Sequence, residues 1–465
     1  MIYLSALSLL LLGSRTLAQD TDDILQCVDP LIGASNGGNV FPGASLPYGM
    51  AKAVADTNST SNQGGFTLDG APVTGFSMMH DSGTGGSPSL GNFALFPYTS
   101  CPGGDINRCA FPKKTRAKSG GFDNSSVSAR PGTFGITLNT GIRADMTATQ
   151  HTALFRFTFP ENSTIGEAAR PLILQDLTDL SNSRQDNGTV SVNEKTGRIT
   201  GTARFLPSFG QGNYVLYFCT DFSGAEILDN GIFADSRAST SVKNMTISRS
   251  INGYPLPGGA FVRFKSGAKP IVARTATSFI GVEQACRHAE SEIPDFNFDR
   301  ISKAATEQWK VKMGGIRVST KGVDKSLVTN FYSGTYRTYI NPQNYTGENP
   351  LWSSGEPYFD SFYWYALLNL QEYPFSTDNC SIWDLFRSQL PFLTITDPTT
   401  VTQMIRSLID TYRHVGWLPD CRMSLNKGYT QVFAFYLQHR NPLTESLLGW
   451  LKCRCCTSRC IHQRT

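Results

Sequence analysis

The sequence predicts an α+β multidomain chain in which an antiparallel β-sandwich is followed by helices. Three observations carry that expectation. Gly 43, Pro 24 and Phe 29 among 465 residues are the composition of a protein with many turns and aromatic-rich strands. From about residue 25 to 285, short alternating runs are divided by Gly, Pro, Asn and Asp. Near residue 297 the apolar period changes from two to about 3.6, which is the change from strand to helix.

Taken in chain order, the N-terminus comes first. An apolar stretch from Leu4 to Leu12 precedes Thr16-Leu17-Ala18, whose small residues suit signal peptidase, so residues 1–18 are predicted to be a signal peptide. The mature chain is then expected to be secreted and extracellular. Asn-x-Ser/Thr sequons at Asn58, Asn124, Asn162, Asn187, Asn244, Asn344 and Asn379 agree with export, the first six as expected glycosylation sites. In an oxidising compartment, Cys101 and Cys109 are spaced to close a short loop as a disulfide. Phe134–Leu138, Thr152–Phe159, Tyr214–Phe218 and Ala260–Phe264 alternate as half-buried strands do, and turn residues separate them. Phe298–Met313, Lys325–Tyr339 and Pro398–His414 place apolar residues at i, i+3, i+4 and i+7. Asp397 can cap the last of these, with Pro398 at its first position. The expected division is a sandwich over 19–290 and helices from 291, the boundary falling at roughly 285–300.

Several function classes drop out. A formal charge of +4, from 41 basic and 37 acidic residues, is too weak to argue for nucleic acid. With 17% charged and 40% apolar residues, neither a disordered tail nor a fibrous protein fits. No apolar run long enough to cross a bilayer follows the N-terminus, so no membrane partner is expected once the signal is removed. The histidines (80, 151, 288, 414, 439 and 462) are scattered, with no His-Glu-x-x-His and no Gly-x-Ser-x-Gly. Gly33 to Gly38 lacks a phosphate-loop lysine and reads as a turn.

Three segments mix aromatics, glycine and fixed polar groups. The first is Asp29-Pro-Leu-Ile-Gly with Phe41-Pro-Gly-Ala-Ser-Leu-Pro-Tyr-Gly-Met50. The second is Gly75-Phe-Ser-Met-Met-His-Asp-Ser-Gly-Thr-Gly85. The third is Tyr358-Phe-Asp-Ser-Phe-Tyr363, then Ile382-Trp-Asp-Leu-Phe-Arg387 and Gly416-Trp-Leu-Pro419. Sugars stack apolar faces on aromatic rings while carboxylates and arginine take their hydroxyls, which suits Trp-Asp-x-x-Arg. A Trp packed in a helical core beside a capping Asp is the competing explanation.

Over residues 25 to 431 these ordered signatures resemble the secreted fungal α-1,2-mannosidases of glycoside hydrolase family 92. The resemblance implies a β-sandwich packed on an (α/α)6 barrel, of which only the first helices would be present here. It implies exo-hydrolysis of mannose from N-glycans or glycoproteins with inversion, assisted by calcium. Trp383, Asp384 and Arg387 would line the substrate pocket, and Phe41, Ser45 and His80 would reach it from the sandwich. The general acid, the base and most calcium ligands would belong to family segments with no counterpart here, so turnover by this chain is not expected. Glu356, Asp360 or Glu372 could stand in as an acid, although capping or ion pairing is the expected role of each. A non-catalytic carbohydrate-binding sandwich and a peptide-N-glycanase type of activity are the alternatives.

Two stretches depart from the family text. Trp364 to Ser381 interrupts an expected Ser-Phe-Tyr-Cys-Ile-Trp-Asp, and its ends permit the codons of a short retained intron. After Gln431 the resemblance stops, and residues 432–465 can be read as a second retained intron followed by a shifted frame. That tail holds Cys453, Cys455, Cys456 and Cys460 of the 11 cysteines, without Cys-x-x-Cys spacing. They are therefore read as a product of the frame and not as a thiolate metal cluster. Helices lacking their barrel neighbours should expose apolar faces.

Overall fold

A computed structural model describes residues 22–59, 64–80, 82, 90–160, 170–179, 185–205, 214–248, 257–265, 270–360 and 388–415. The expected signal peptide, Asn162, Asn379, the segment 364–381 and the tail 432–465 lie outside these residues.

Two antiparallel sheets face one another. In spatial order the first holds Ala44–Ser45, Lys52–Thr57, Val73–Ser77, Leu95–Tyr98, Leu172–Asp176, Gly258–Phe264, Ile227–Ala234 and Arg237–Ser239. The second runs Asn244–Ser248, Gln185–Val192, Ile199–Phe205, Tyr214–Ser223, Ile271–Ser278, Thr152–Thr158, Arg143–Ala148, Thr133–Thr137 and Ser128–Arg130. Aromatic pairs close the space between them: Phe76 meets Phe157 edge-on at 5.5 Å, and Phe93 meets Phe218 at 4.3 Å.

The four predicted strands are all present. Of these, Tyr214–Phe218 alternates as expected, whereas Thr152–Thr158 and Gly258–Phe264 are buried at most positions, and the expectation also fails for the centre of the first sheet. There Lys52–Thr57, Val73–Ser77, Leu95–Tyr98 and Leu172–Asp176 are buried at every residue. The physical reason is a second, smaller core on the sheet's outer face, where Phe96, Tyr98, Phe111, Leu174, Phe233 and Phe261 pack under the Cys101–Cys109 disulfide loop. Arg116 lies beneath that layer, pairing with Asp176 and lying over the Phe96 ring.

The predicted helices occur at Phe298–Met313, Lys325–Thr338 and Pro398–Val415, and Asp397 caps the last through Thr400 N at 3.4 Å. Besides the short helices Asp22–Gln26 and Lys113–Arg116, two longer ones have no counterpart in the sequence expectations. Gln389–Thr396 carries Pro391 in its first turn and no apolar stripe, so periodicity does not reveal it. Val282–Glu292 lies directly after the last strand and packs on the sandwich through Ala285 and Ala289. Its Cys286 is disulfide-bonded to the fully buried Cys219, and Arg274 ties its end by bonding both Asp221 and the Ile293 carbonyl.

The helices meet the sandwich through a separate core of Val28, Tyr48, Trp309, Tyr336, Tyr339 and Phe359, among others. Trp309 is fully buried and donates its indole N–H to the Ser45 carbonyl at 2.6 Å. Gly132, at φ +87°, lets a sandwich turn approach this helix, since a Cβ there would lie 3.0 Å from Ala305. On these helices Val311, Leu327, Phe331 and Ile395 are exposed.

The Cys219–Cys286 bridge closes 67 residues and joins the sandwich to the helix that leaves it. Replacing both cysteines by alanine should lower stability by about 2–5 kcal/mol in a denaturant titration.

Candidate functional site

Three sequence segments far apart in the chain converge between the sheets and the helices. The first is the loop from Phe41 to Met50, which leaves the first sheet and enters the helical core. Tyr48 sits at φ +55°, held by its own N–H on the Tyr339 carbonyl (2.7 Å) and its carbonyl under Asn344 N–H (2.8 Å). The second is the strand end carrying His80 and, two residues on, Ser82. The third is Ser388-Gln389, which directly follows Arg387 in the chain.

Three polar side chains join these segments. Lys52, fully buried, donates its ammonium to Asn341 Oδ1. Asn341 in turn donates to the Ser82 carbonyl at 3.3 Å. Gln389 donates to the carbonyls of Thr338 and Asn341, both at 2.8 Å. Ser82, Asn341 and Gln389 are half-buried, so a rim of hydroxyl and amide groups backed by one buried cation edges the junction. Such groups recognise hydroxyl-rich ligands by donating and accepting at once.

Of the residues assigned to substrate by resemblance, Trp383, Asp384 and Arg387 lie outside the described residues. Phe41, Ser45 and His80 do not reach a surface: their exposure is 0%, 0% and 1%. Both nitrogens of His80 are engaged, Nδ1 donating to the Lys52 carbonyl at 2.6 Å and Nε2 meeting Asp56 Oδ1 at 2.7 Å. Phe41 stacks on that imidazole at 5.6 Å and lies under the Lys52 ammonium. These three form the floor on which Lys52 and Ser82 are placed, a supporting position and not a contact one. Lys52, Asn341 and Gln389 were missed by sequence reasoning. The signal that could have found two of them is nearness, Lys52 lying two residues after Met50 and Gln389 two after Arg387.

The carboxylates on the helical side are occupied. Glu356 accepts from Arg406 at 2.6 Å, which is the ion-pair role expected of it. Asp410 accepts from the Trp352 indole and from Ser354 Oγ, both at 2.8 Å, while Trp352 stacks on His414 at 4.7 Å. The Asp360 side chain and Glu372 fall outside the described residues. Asp397 accepts from Lys312 Nζ at 2.7 Å and from the Tyr48 hydroxyl at 3.1 Å. Burial pushes its carboxyl up, but the Lys312, Thr400 and Tyr48 hydrogen bonds more than reverse this and hold it below the ordinary aspartate range.

The chain matches the model of the glycosyl hydrolase family 92 N-terminal domain over residues 27–278 and that of the family 92 catalytic domain over 284–433. It is 46% identical over 434 residues to an uncharacterized secreted glycosidase of Arthroderma benhamiae, covering 92% of this chain and 50% of that protein. A family GH92 inverting mannosidase of Bacteroides thetaiotaomicron superposes with a TM-score of 0.68 at 20% identity, covering 88% of this chain and 51% of that one. A GH92 α-mannosidase of the same bacterium, in complex with mannoimidazole, gives 0.70 at 19% identity over 88% and 51% of the two chains. The chain thus spans about half the length of the proteins it matches.

Substituting Asp397→Asn removes a charge-assisted contact between sandwich and helices and should cost about 1–3 kcal/mol at neutral pH. Because the folded-state value is depressed, the contribution is complete above the unfolded value near ~4 and is lost as pH falls through the folded one. Urea titrations should show a constant gap between the two proteins from about pH 8 to 5, closing below about pH 4.

Proposed function

The chain belongs to glycosyl hydrolase family 92, and from that we propose that it supplies the sandwich side of an exo-α-mannosidase site for the terminal mannose of N-glycans. The observation carrying this proposal is that chain within or directly next to the signature segments meets at the Lys52, Ser82, Asn341 and Gln389 rim. Those groups would hold mannose hydroxyls, with the Trp383 to Arg387 segment beside them in sequence. Secretion is part of the same proposal and is supported by the apolar N-terminus and the secreted relative. Among the described residues, no helix is long and apolar enough to cross a membrane.

Inverting hydrolysis needs one carboxylic acid on the leaving oxygen and one carboxylate on water, about 6.5–9.5 Å apart. At the junction Asp397, Asp410 and Glu356 are each already bonded to cationic or donor groups, so none is free for either role. The chain is assigned binding without turnover, and that assignment rests on the resemblance, because Glu372, Asp384 and the Asp360 side chain lie outside the described residues. Calcium assistance rests on the resemblance. The one cluster of three or more ligating His, Cys, Asp or Glu side chains among the described residues is His151, His288 and Glu348. Its two imidazoles do not suit a cation that takes oxygen ligands, so no step is routed through calcium. Four of the five described cysteines are in disulfides, which removes them as nucleophiles for amide cleavage.

Titration calorimetry with methyl α-mannoside should show weak binding, with Kd near ~1 mM. The double substitution Asn341→Ala and Gln389→Ala should weaken it at least about fivefold, roughly the loss of one hydrogen bond. A mannobiose substrate should yield no free mannose with this chain. Mannose release would overturn the assignment of binding without turnover, and release of an intact glycan from a glycoprotein would favour the amide-cleaving alternative.

A further inference from the structure

Away from the junction rim, two histidines 137 positions apart in sequence stack face to face. His151 belongs to the turn between Arg143–Ala148 and Thr152–Thr158, and His288 to the helix Val282–Glu292. Their ring centroids are 4.0 Å apart, with the planes 14° from parallel. Each imidazole has its own glutamate. His151 Nδ1 donates to Glu292 Oε1 at 2.6 Å, and Glu292 Oε2 also accepts from the His151 backbone N–H at 3.0 Å and from the Thr149 hydroxyl. His288 Nε2 donates to Glu348 Oε1 at 2.7 Å. Glu348 is fully buried and accepts further from Gln284 (2.6 Å), Ser278 (2.8 Å) and the Phe279 N–H (2.7 Å).

Two features of this group have no structural use. The first is the far nitrogen of His151: with its proton on Nδ1, Nε2 carries a lone pair, and that atom is buried with no hydrogen-bond partner. Imidazoles that ligate metals have this arrangement, the second nitrogen fixed by a carboxylate that selects the tautomer. The second feature is charge. Both carboxylates accept donors on both oxygens and are held ionised, and among the described residues neither contacts a lysine or arginine. Two carboxylates thus converge on two stacked imidazoles with no lysine or arginine beside them, a donor set that suits a divalent cation.

We propose that His151 Nε2, His288 Nε2 and Glu348 form a site for a divalent transition metal of the zinc class, with Glu292 orienting His151. One ligand atom from each of the three residues lies within 4.8 Å of the others, and two nitrogens with one carboxylate oxygen leave a fourth tetrahedral position for water. Loading moves the His288 proton from Nε2 to Nδ1, which faces Glu292 Oε1 at 4.0 Å. The metal takes the place of that proton against Glu348, and the rings turn out of their stack so that both Nε2 lone pairs meet one centre. The histidine side chains are 13% and 20% exposed, so an ion can enter from solvent. Bound there, it would clamp the sandwich turn, the linking helix and the loop leading to Phe359–Asp360. The role is structural and independent of the glycan assignment.

The test uses the whole chain without an affinity tag, stripped with chelator and dialysed. Zinc titration followed by elemental analysis should show one equivalent retained, and the melting temperature should rise with zinc but not with equal magnesium or calcium. Cobalt(II) should give the intense visible bands of a tetrahedral nitrogen and oxygen site. His151→Phe, which keeps the ring stack, should abolish the cobalt spectrum and the zinc-dependent rise while the metal-free protein keeps its circular dichroism. Glu292→Gln should weaken zinc about 10–100-fold. No retained zinc in the parent chain, an unchanged spectrum in His151→Phe, or equal stabilisation by calcium would each overturn the site.

Discussion

Tyr48 is the residue through which the two halves of this chain are joined. A left-handed backbone at a non-glycine position costs roughly 1–2 kcal/mol, so it persists only where its surroundings impose it. Here the imposition comes from the helical side. Tyr339 accepts the Tyr48 N–H, Asn344 donates to its carbonyl, Asp397 accepts its hydroxyl, and the Lys312 ammonium lies over its ring at 5.2 Å. With the loop held there, Ser45 offers its carbonyl to Trp309. The same geometry brings the Asn341 turn against Lys52 and the His80 strand end. Asp397 works in two directions, capping the helix Pro398–Val415 and binding the sandwich loop, so helix formation and docking are coupled through one carboxylate.

This coupling explains why the signature segments divide into a buried floor and a polar rim. The aromatic and imidazole members of the motifs are the larger side chains, and their burial stabilises the loop contacts. His80 can be buried because both its nitrogens have partners, and Lys52 because Asn341 Oδ1 accepts a hydrogen bond from its ammonium. What remains at the edge are short amides and hydroxyls, which present donors and acceptors at fixed positions with little side-chain entropy to lose.

The second tie between the halves is made of charge. Glu348 comes from the loop after the helix Lys325–Thr338 and is bonded by Ser278 and Phe279 at the end of the last sandwich strand, and by Gln284 and His288 on the linking helix. A buried carboxylate with four donors is stable as an anion, whereas removing any donor would leave part of that charge without compensation. The linking helix is thus held by a disulfide at Cys286, by arginine contacts at its end, and by this carboxylate along one face.

The sequence by itself determined the order of the architecture. Period-two alternation at Tyr214–Phe218 and Ile199–Phe205, and the helical stripe of Phe298–Met313, are local consequences of burying one face, so they are visible in the chain. Motif order was enough to identify the family. Tertiary structure decided which motif residues are buried, because burial depends on what lies across the interface. Phe41, Ser45 and His80 read as contact residues in the sequence, yet all three are buried, Ser45 against the Trp309 indole and His80 between Lys52 and Asp56. It also decided the helix Gln389–Thr396, whose proline and even apolarity hide its period. The meeting of His151 with His288 follows from antiparallel pairing of Thr152–Thr158 with Ile271–Ser278 and the packing of the next helix back on them. No spacing in the sequence encodes such a contact, since it arises only when separated strands are placed side by side.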